Sequence, residues 1–306
     1  MTHAGKVWVA LWAVYIIWGS TYLGIELAGE TIPPLFAVAW RFLVAGALMA
    51  GWVAWRRGFS ALRVSRAELG SAALIGVLLP GANALLFVAE QDVPIGLASL
   101  VIASVPLLVV ALRYAGGDHP TRGSLVGVAI GFVGIAVLVR PGGGASTTGL
   151  VLVVGSAVAW AVGSYLSGRL PMPKDAFAAT ALEMLAGGLV LLPFGLLATD
   201  FDPSEWSTRS ILGWWYLVLF GSLIGYTAYV WLLQNAPISK VATYAYVNPV
   251  VAIALGAIVL HEEITWRIAL GAAIVLASVA VVVRRESVPA EAEAAPAGAG
   301  RVSDSS

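Results

Sequence analysis

The chain has 306 residues, 59% apolar and 11% charged, with a formal net charge of zero and no cysteine. Soluble domains carry about 25% charged residues, so this chain cannot cover its apolar surface for water, and the solvent it fits is lipid. A neutral chain without a lysine-rich patch excludes a nucleic-acid partner. The missing cysteines exclude disulfides, thiolate metal sites and cysteine nucleophiles.

Apolar windows predict ten helices, near 7–27, 34–55, 68–90, 94–113, 123–140, 149–168, 176–198, 211–233, 238–260 and 266–283. A span needs ~20 mostly apolar residues. The first run is too long for a leader h-region and ends without a small-x-small cleavage site, so it reads as a retained span. Pro33-Pro34, Pro94, Pro237 and the PGGG at 141–144 mark joints, because proline starts a helix well and continues it poorly. Residues 286–306 are rich in Ala, Pro, Glu and Ser, with no apolar face to bury, and read as a disordered cytoplasmic tail.

Basic residues set the orientation. With the N-terminus inside, thirteen Lys and Arg from Lys6 to Arg301 fall on the cytoplasmic side, and only Arg140, Arg209 and Arg267 fall outside. Both termini are then cytoplasmic.

The chain also repeats itself. A shift of 143 residues lays Gln91 on Gln234, Pro94 on Pro237, Ile95 on Ile238 and Pro106 on Pro249. A shift of 142 lays Trp18 on Trp160 and Arg41 on Glu183, and a shift of 144 lays Gly127 on Gly271. The units are 1–142 and 143–285, each with five helices. Five is odd, so the second copy enters the membrane upside down. Inverted repeats with a site near the midplane are the architecture of secondary transporters.

WGSTYLGIELAGETIPP, WRFLVAGALM and AEQDVPIGLASLVIASVPLL resemble the first half of the EamA family, within the drug/metabolite transporter superfamily. AYVNPVVAIALGAIVLHEEITWRIALGAAIVLASV resembles its second copy. The resemblance covers about residues 7–284 and implies a ten-helix carrier of the bacterial inner membrane, mostly an exporter of metabolites, amino acids or toxic compounds. The first-span pattern of that family has a basic residue where this chain has Glu26.

Candidate pathway residues form stripes at helical spacing. They are Tyr15, Trp18, Tyr22 and Glu26 on the first helix and Asn83, Phe87 and Glu90 on the third. Trp160 and Ser164 lie on the sixth, Tyr226 and Tyr229 on the eighth, and Lys240, Tyr244 and Asn248 on the ninth. Aromatic walls with a few polar groups suit a small amphipathic solute such as an amino acid or aromatic metabolite. Packing or an interfacial belt explains any one ring equally well, and belt placement is the better reading for Trp8, Trp52, Trp55, Trp206, Trp214 and Trp215.

Charges inside spans cost ~2.5–3.5 kcal/mol each on insertion scales. Arg41 is therefore expected to pair with Glu26 or Glu90, and Glu183 with Lys240 or Arg169. Glu90 is also placed to exchange a proton, although snorkelling to water explains Glu26 and Glu90 as well. His261, Glu262 and Glu263 are adjacent, fan around a helix and cannot converge on a metal, so they read as the turn before a Thr265 N-cap. The ridges Gly123/Gly127/Gly131 and Ala269/Ala273/Ala277 read as close helix packing, and also suit a homodimer seam.

No HExxH, GxSxG or phosphate loop is present, which disfavours an intramembrane enzyme or an ATP-driven pump and calls for no cofactor. A channel or facilitative uniporter is the remaining alternative to a coupled carrier.

Overall fold

The structure, a computed structural model, describes residues 2–138, 145–197, 202–241 and 243–294. Among these every regular element is helical. Seven helices are long and apolar enough to cross a membrane: α1 His3–Gly29, α2 Pro34–Arg57, α3 Arg66–Ala89, α4 Ile95–Ala115, α6 Thr147–Ser167, α7 Ala176–Leu197 and α8 Thr208–Asn235. Three shorter apolar helices follow the same plan: α5 Arg122–Leu138, α9 Tyr244–Val259 and α10 Trp266–Ala294. These correspond to the ten predicted spans. Arg140, the glycine turn at 141–144 and Asp200 lie outside the described residues.

The helix starts follow from local chemistry. Ser65 and Glu68 form a reciprocal capping box at α3, with Ser65 N donating to Glu68 Oε2 at 2.7 Å. Ser146 Oγ accepts from Gly149 N at 2.9 Å at α6, and Ser207 Oγ accepts from Ser210 N at 3.0 Å at α8. Pro34 opens α2, where its missing N–H costs nothing. Thr265 Oγ1 accepts from Ile268 N at 3.3 Å, the N-cap expected of it.

Four spans depart from the continuous rods expected. α4 is split into α4a Ile95–Ile102 and α4b Val105–Ala115, around Ala103 and Ser104. Pro106 has no N–H to offer the previous turn, so the break is chemically enforced. A short helix Ile238–Val241 precedes α9. Within α1 and α8 the backbone widens to π-helix at Val14–Trp18 and Leu217–Tyr226. At the C-terminus α10 continues through 286–294, where a disordered tail was expected. Its Ala and Glu residues favour helix without needing a partner face.

The two halves pack in corresponding pairs. α2 lies along α7, α5 along α10, and α4a against α9, each helix meeting its own counterpart from the other repeat. α3 packs on both α6 and α7. The α3–α7 crossing is close because both sides are glycine. A Cβ on Gly76 would strike the Glu183 carbonyl, and one on Gly187 would strike the Gly76 carbonyl and the Pro80 ring. The glycine side of α5 packs on α10 within one chain, Gly127 lying on Val282 and Gly134 on Ile274, whereas the ridge Ala269/Ala273/Ala277 is exposed.

Candidate functional site

Seven of the stripe residues converge, with Arg41, on one cavity between the repeats. Trp18 and Tyr22 come from α1, Arg41 from α2, Asn83 from α3, Trp160 from α6, Tyr226 from α8, and Tyr244 and Asn248 from α9. Thr21, Ile25, Leu86, Ile102, Ser156 and Gly221 complete its wall. Its volume is about 50 Å³, against ~300–1,000 Å³ for a small-molecule pocket. In this conformation the cavity is smaller than a small-molecule pocket.

The π segments shape this wall. Trp18 Nε1 donates to the Gly221 carbonyl at 3.2 Å, which joins the widened turns of α1 and α8. π-bulges recur at functional sites because they free backbone groups and re-aim side chains. Gly221 also gives the Arg41 guanidinium its room: a Cβ there would come within 2.9 Å of Arg41 Nη2.

Arg41 is 3% exposed. Its Nε donates to Ser222 Oγ at 2.9 Å, and its Nη1 has no hydrogen-bond partner. The expected Arg41 ion pair with Glu26 or Glu90 does not form among the described residues. Glu90 caps the end of α3, is 3% exposed, and leaves both carboxylate oxygens unpartnered. It lies off the cavity lining, as does Phe87, which is fully buried against Gly29.

Glu183 also differs from expectation. It accepts a hydrogen bond from Tyr226 Oη at 2.8 Å, and neither Lys240 nor Arg169 reaches it. The physical reason is reach. Arg169 is drawn to Asp118, with Nη2 to Oδ2 at 2.9 Å, and Lys240 lies 4.7 Å over the Trp8 ring.

A second cavity of about 240 Å³ opens at the α4b end of the bundle, lined in part by Arg113, Asp118, Ser164, Arg169, Glu183 and Gln234. Tyr226 and Tyr229 stand between it and the central cavity. Tyr229 Oη bonds Ser164 Oγ at 2.9 Å, and its ring lies 4.8 Å from Trp18, 5.8 Å from Trp160 and 5.8 Å from Tyr244. The stripe residues thus form a central chamber, an aromatic partition and a vestibule.

At the vestibule mouth Asp118 Oδ2 accepts from Arg113 Nε at 3.0 Å and from Arg169 Nη2 at 2.9 Å. The bond from Arg113, helped by Arg169 and opposed by some desolvation, holds its carboxyl below the usual value. A depressed value means the link persists at every pH above the ordinary Asp range, ~3.9, and is lost only as pH falls through the lowered one. Asp118→Asn is therefore expected to leave the shape of any pH–flux profile between about pH 5 and 8 unchanged. Flux measured in vesicles clamped across that range checks it.

At the opposite end the two repeats are bonded by a residue read from sequence only as part of a turn. Glu262 Oε1 accepts from Ile95 N at 2.7 Å and its Oε2 from Gly96 N at 3.1 Å, so a loop of the second repeat caps α4a of the first. The signal was available: the shift of 144 that lays Gly127 on Gly271 also lays Asp118 on Glu262. The two acidic residues are counterparts at opposite ends of the bundle. Arg209 Nε meets Glu30 Oε1 at 3.2 Å across the repeats, and Arg57 pairs with Asp175.

The EamA-like transporter family model matches the chain twice, over residues 6–140 and 147–284. An inner membrane transporter of Escherichia coli, YedA, whose function is uncharacterized, is 39% identical over 295 residues, covering 94% of each chain. A probable amino-acid metabolite efflux pump of Salmonella typhimurium is 27% identical over 281 residues, covering 86% of this chain and 90% of the pump. A protein of known crystal structure shares the fold, with a TM-score of 0.65 and 22% identity over 93% of this chain and 99% of that one.

Proposed function

Because the chain belongs to the EamA-like transporter family, we propose that it is a secondary active carrier that exports a small metabolite across the bacterial inner membrane by alternating access. The observation that carries this reading is the asymmetry of its two ends. On the α4a side Glu262 of the second repeat ties down the start of α4a of the first, while the α4b side has a 240 Å³ vestibule beyond the aromatic residues Tyr226 and Tyr229. A carrier caught with one gate shut has this form. A channel needs a continuous path.

The excess of Lys and Arg on the α4b side supports a cytoplasmic vestibule, with both termini on that face. The Salmonella relative, named as an amino-acid metabolite efflux pump, supports a small metabolite and outward movement. The pathway runs from Glu183 and Ser164 past Tyr229 and Tyr226 to Trp18, Tyr22, Arg41, Asn83, Trp160, Tyr244 and Asn248. Reconstituted protein tests the reading. Labelled solute should show saturable counterflow, accelerated by unlabelled solute on the far side. Non-saturable flux, or chemical conversion of the solute, would overturn it.

Glu90 is the candidate for coupling to protons. A buried carboxylate with no hydrogen-bond donor is satisfied either by a cation or by its own proton, and Glu90 has neither bond nor ion pair among the described residues. Glu90→Gln is expected to keep counterflow at equal pH and to lose acceleration by an imposed pH gradient. Unchanged gradient dependence in proteoliposomes would remove the proton role.

A further inference from the structure

We propose that the transported solute is a small monocarboxylate whose carboxylate docks on Arg41 and Trp160 in the central chamber. The inference rests on the carrier reading above and narrows its substrate class.

The first observation is a surplus of donors. Arg41 is almost fully buried, and of its guanidinium only Nε is spoken for, by Ser222. Nη1 is buried without a partner. The indole Nε1 of Trp160, on the lining of the same cavity, is also buried without one. Leaving a charged donor unpaired in the interior costs more than any neutral hydrogen bond returns. Both residues line the same cavity, so an acceptor arriving there satisfies two groups that the protein leaves open.

The second observation concerns charge. Among the described residues Arg41 is the only cation on the lining of the chamber, and no carboxylate lines it. One guanidinium matches a monoanion. A phosphate would bring up to two charges and three acceptor oxygens to a site with one cation. The remaining walls are the flat faces and edges of Trp18, Tyr22 and Tyr244, with Trp18 and Tyr244 edge-to-face at 5.6 Å. Once the chamber opens beyond its present volume of about 50 Å³, these walls suit a planar carboxylate with an apolar or aromatic body.

The third observation is the room kept for the guanidinium. Gly221 sits in the π segment of α8, where any Cβ would press on Arg41 Nη2. The widened turn and its glycine hold the charge in the chamber and off the lipid.

The test uses full-length protein in detergent and matched sets of probes with phenyl, indole and isobutyl bodies, each as the propionate, the propionamide and the corresponding amine. Binding is read by tryptophan fluorescence and by thermal shift. In at least one set the carboxylate is expected to bind ~10–100-fold tighter than its amide, the span set by a charge-assisted hydrogen bond. Arg41→Gln should abolish that preference while Arg41→Lys retains part of it. Gly221→Ala displaces the guanidinium without removing it, and should weaken the carboxylate more than the amide. It keeps the test decisive if Arg41→Gln does not fold. Amides or amines binding as tightly as carboxylates, no carboxylate binding, or a preference that survives both variants would overturn the proposal. Counterflow separates the two failures: a neutral or cationic solute that still exchanges saturably leaves the carrier reading standing, whereas exchange of no solute at all removes it.

Discussion

Replacing Gly187 by leucine is expected to prevent stable assembly of the bundle, and Gly187→Ala to lower its stability by about 1–3 kcal/mol. The reason is what a side chain there would meet. A Cβ on Gly187 collides with the Gly76 carbonyl and with Pro80, and one on Gly76 collides with the Glu183 carbonyl. None of these is a side chain that can rotate away. Relief requires α3 and α7 to separate, and lipid offers no hydrophobic gain to hold separating helices together, so close packing is the force that is lost. The same movement carries Glu183 away from Tyr226 Oη and leaves a buried carboxylate without its donor. Thermal unfolding followed by size-exclusion chromatography checks the effect. Gly51→Ala is the matched control, because nothing lies within 4 Å of a Cβ at that position. It should be neutral or slightly stabilising, given alanine's better helix propensity.

The repeat was legible because proline and glutamine at the hairpins recur at a fixed offset, and proline acts through backbone chemistry that survives changes in surrounding side chains. The chamber was legible for a related reason. A polar or aromatic residue every third or fourth position inside an apolar span marks one helix face, and Trp18, Trp160, Tyr226 and Tyr244 do meet. Partners were harder to read. Arg41 and Glu183 sit at corresponding places in the two repeats, and sequence alone suggested opposite charges for each. Arg41 instead takes Ser222 and Glu183 takes Tyr226, because a buried span offers hydroxyl groups closer than it offers ions. The π segments were not legible at all. Val14–Trp18 and Leu217–Tyr226 are apolar like the spans they belong to, and no residue type in them marks a widened turn. Glu262 was hidden by its place in a loop. Its role depends on the amides of Ile95 and Gly96, and backbone groups leave no mark in a side-chain pattern.

Glu262→Ala is expected to release the closed end of the bundle. The carboxylate takes two backbone amides at the start of α4a, which have no carbonyl of an earlier turn to bond, and it complements the positive end of that helix. It belongs to the second repeat, and the helix belongs to the first, so under the proposed alternating-access cycle it bonds the two bodies that rock apart when the chamber opens on that side. Hydrogen bonds to a charged group are worth about 1.5–3 kcal/mol each. Losing even one such contribution shifts a two-state equilibrium by ~10–100-fold toward the open form. The chain has no cysteine, so a single cysteine reports without background. Ile25 lines the chamber and is buried. An Ile25→Cys reporter should react with an impermeant maleimide from the α4a side at least about 10-fold faster when Glu262 is alanine. Glu262→Gln keeps the acceptor oxygen without the charge and should fall between. Asp118, the counterpart at the other end, is held by Arg113 and Arg169 in the open vestibule. Asp118→Asn should not speed labelling from the α4a side. Equal labelling in wild type and Glu262→Ala would mean that the two amides are capped for helix stability alone, and that the gate lies elsewhere.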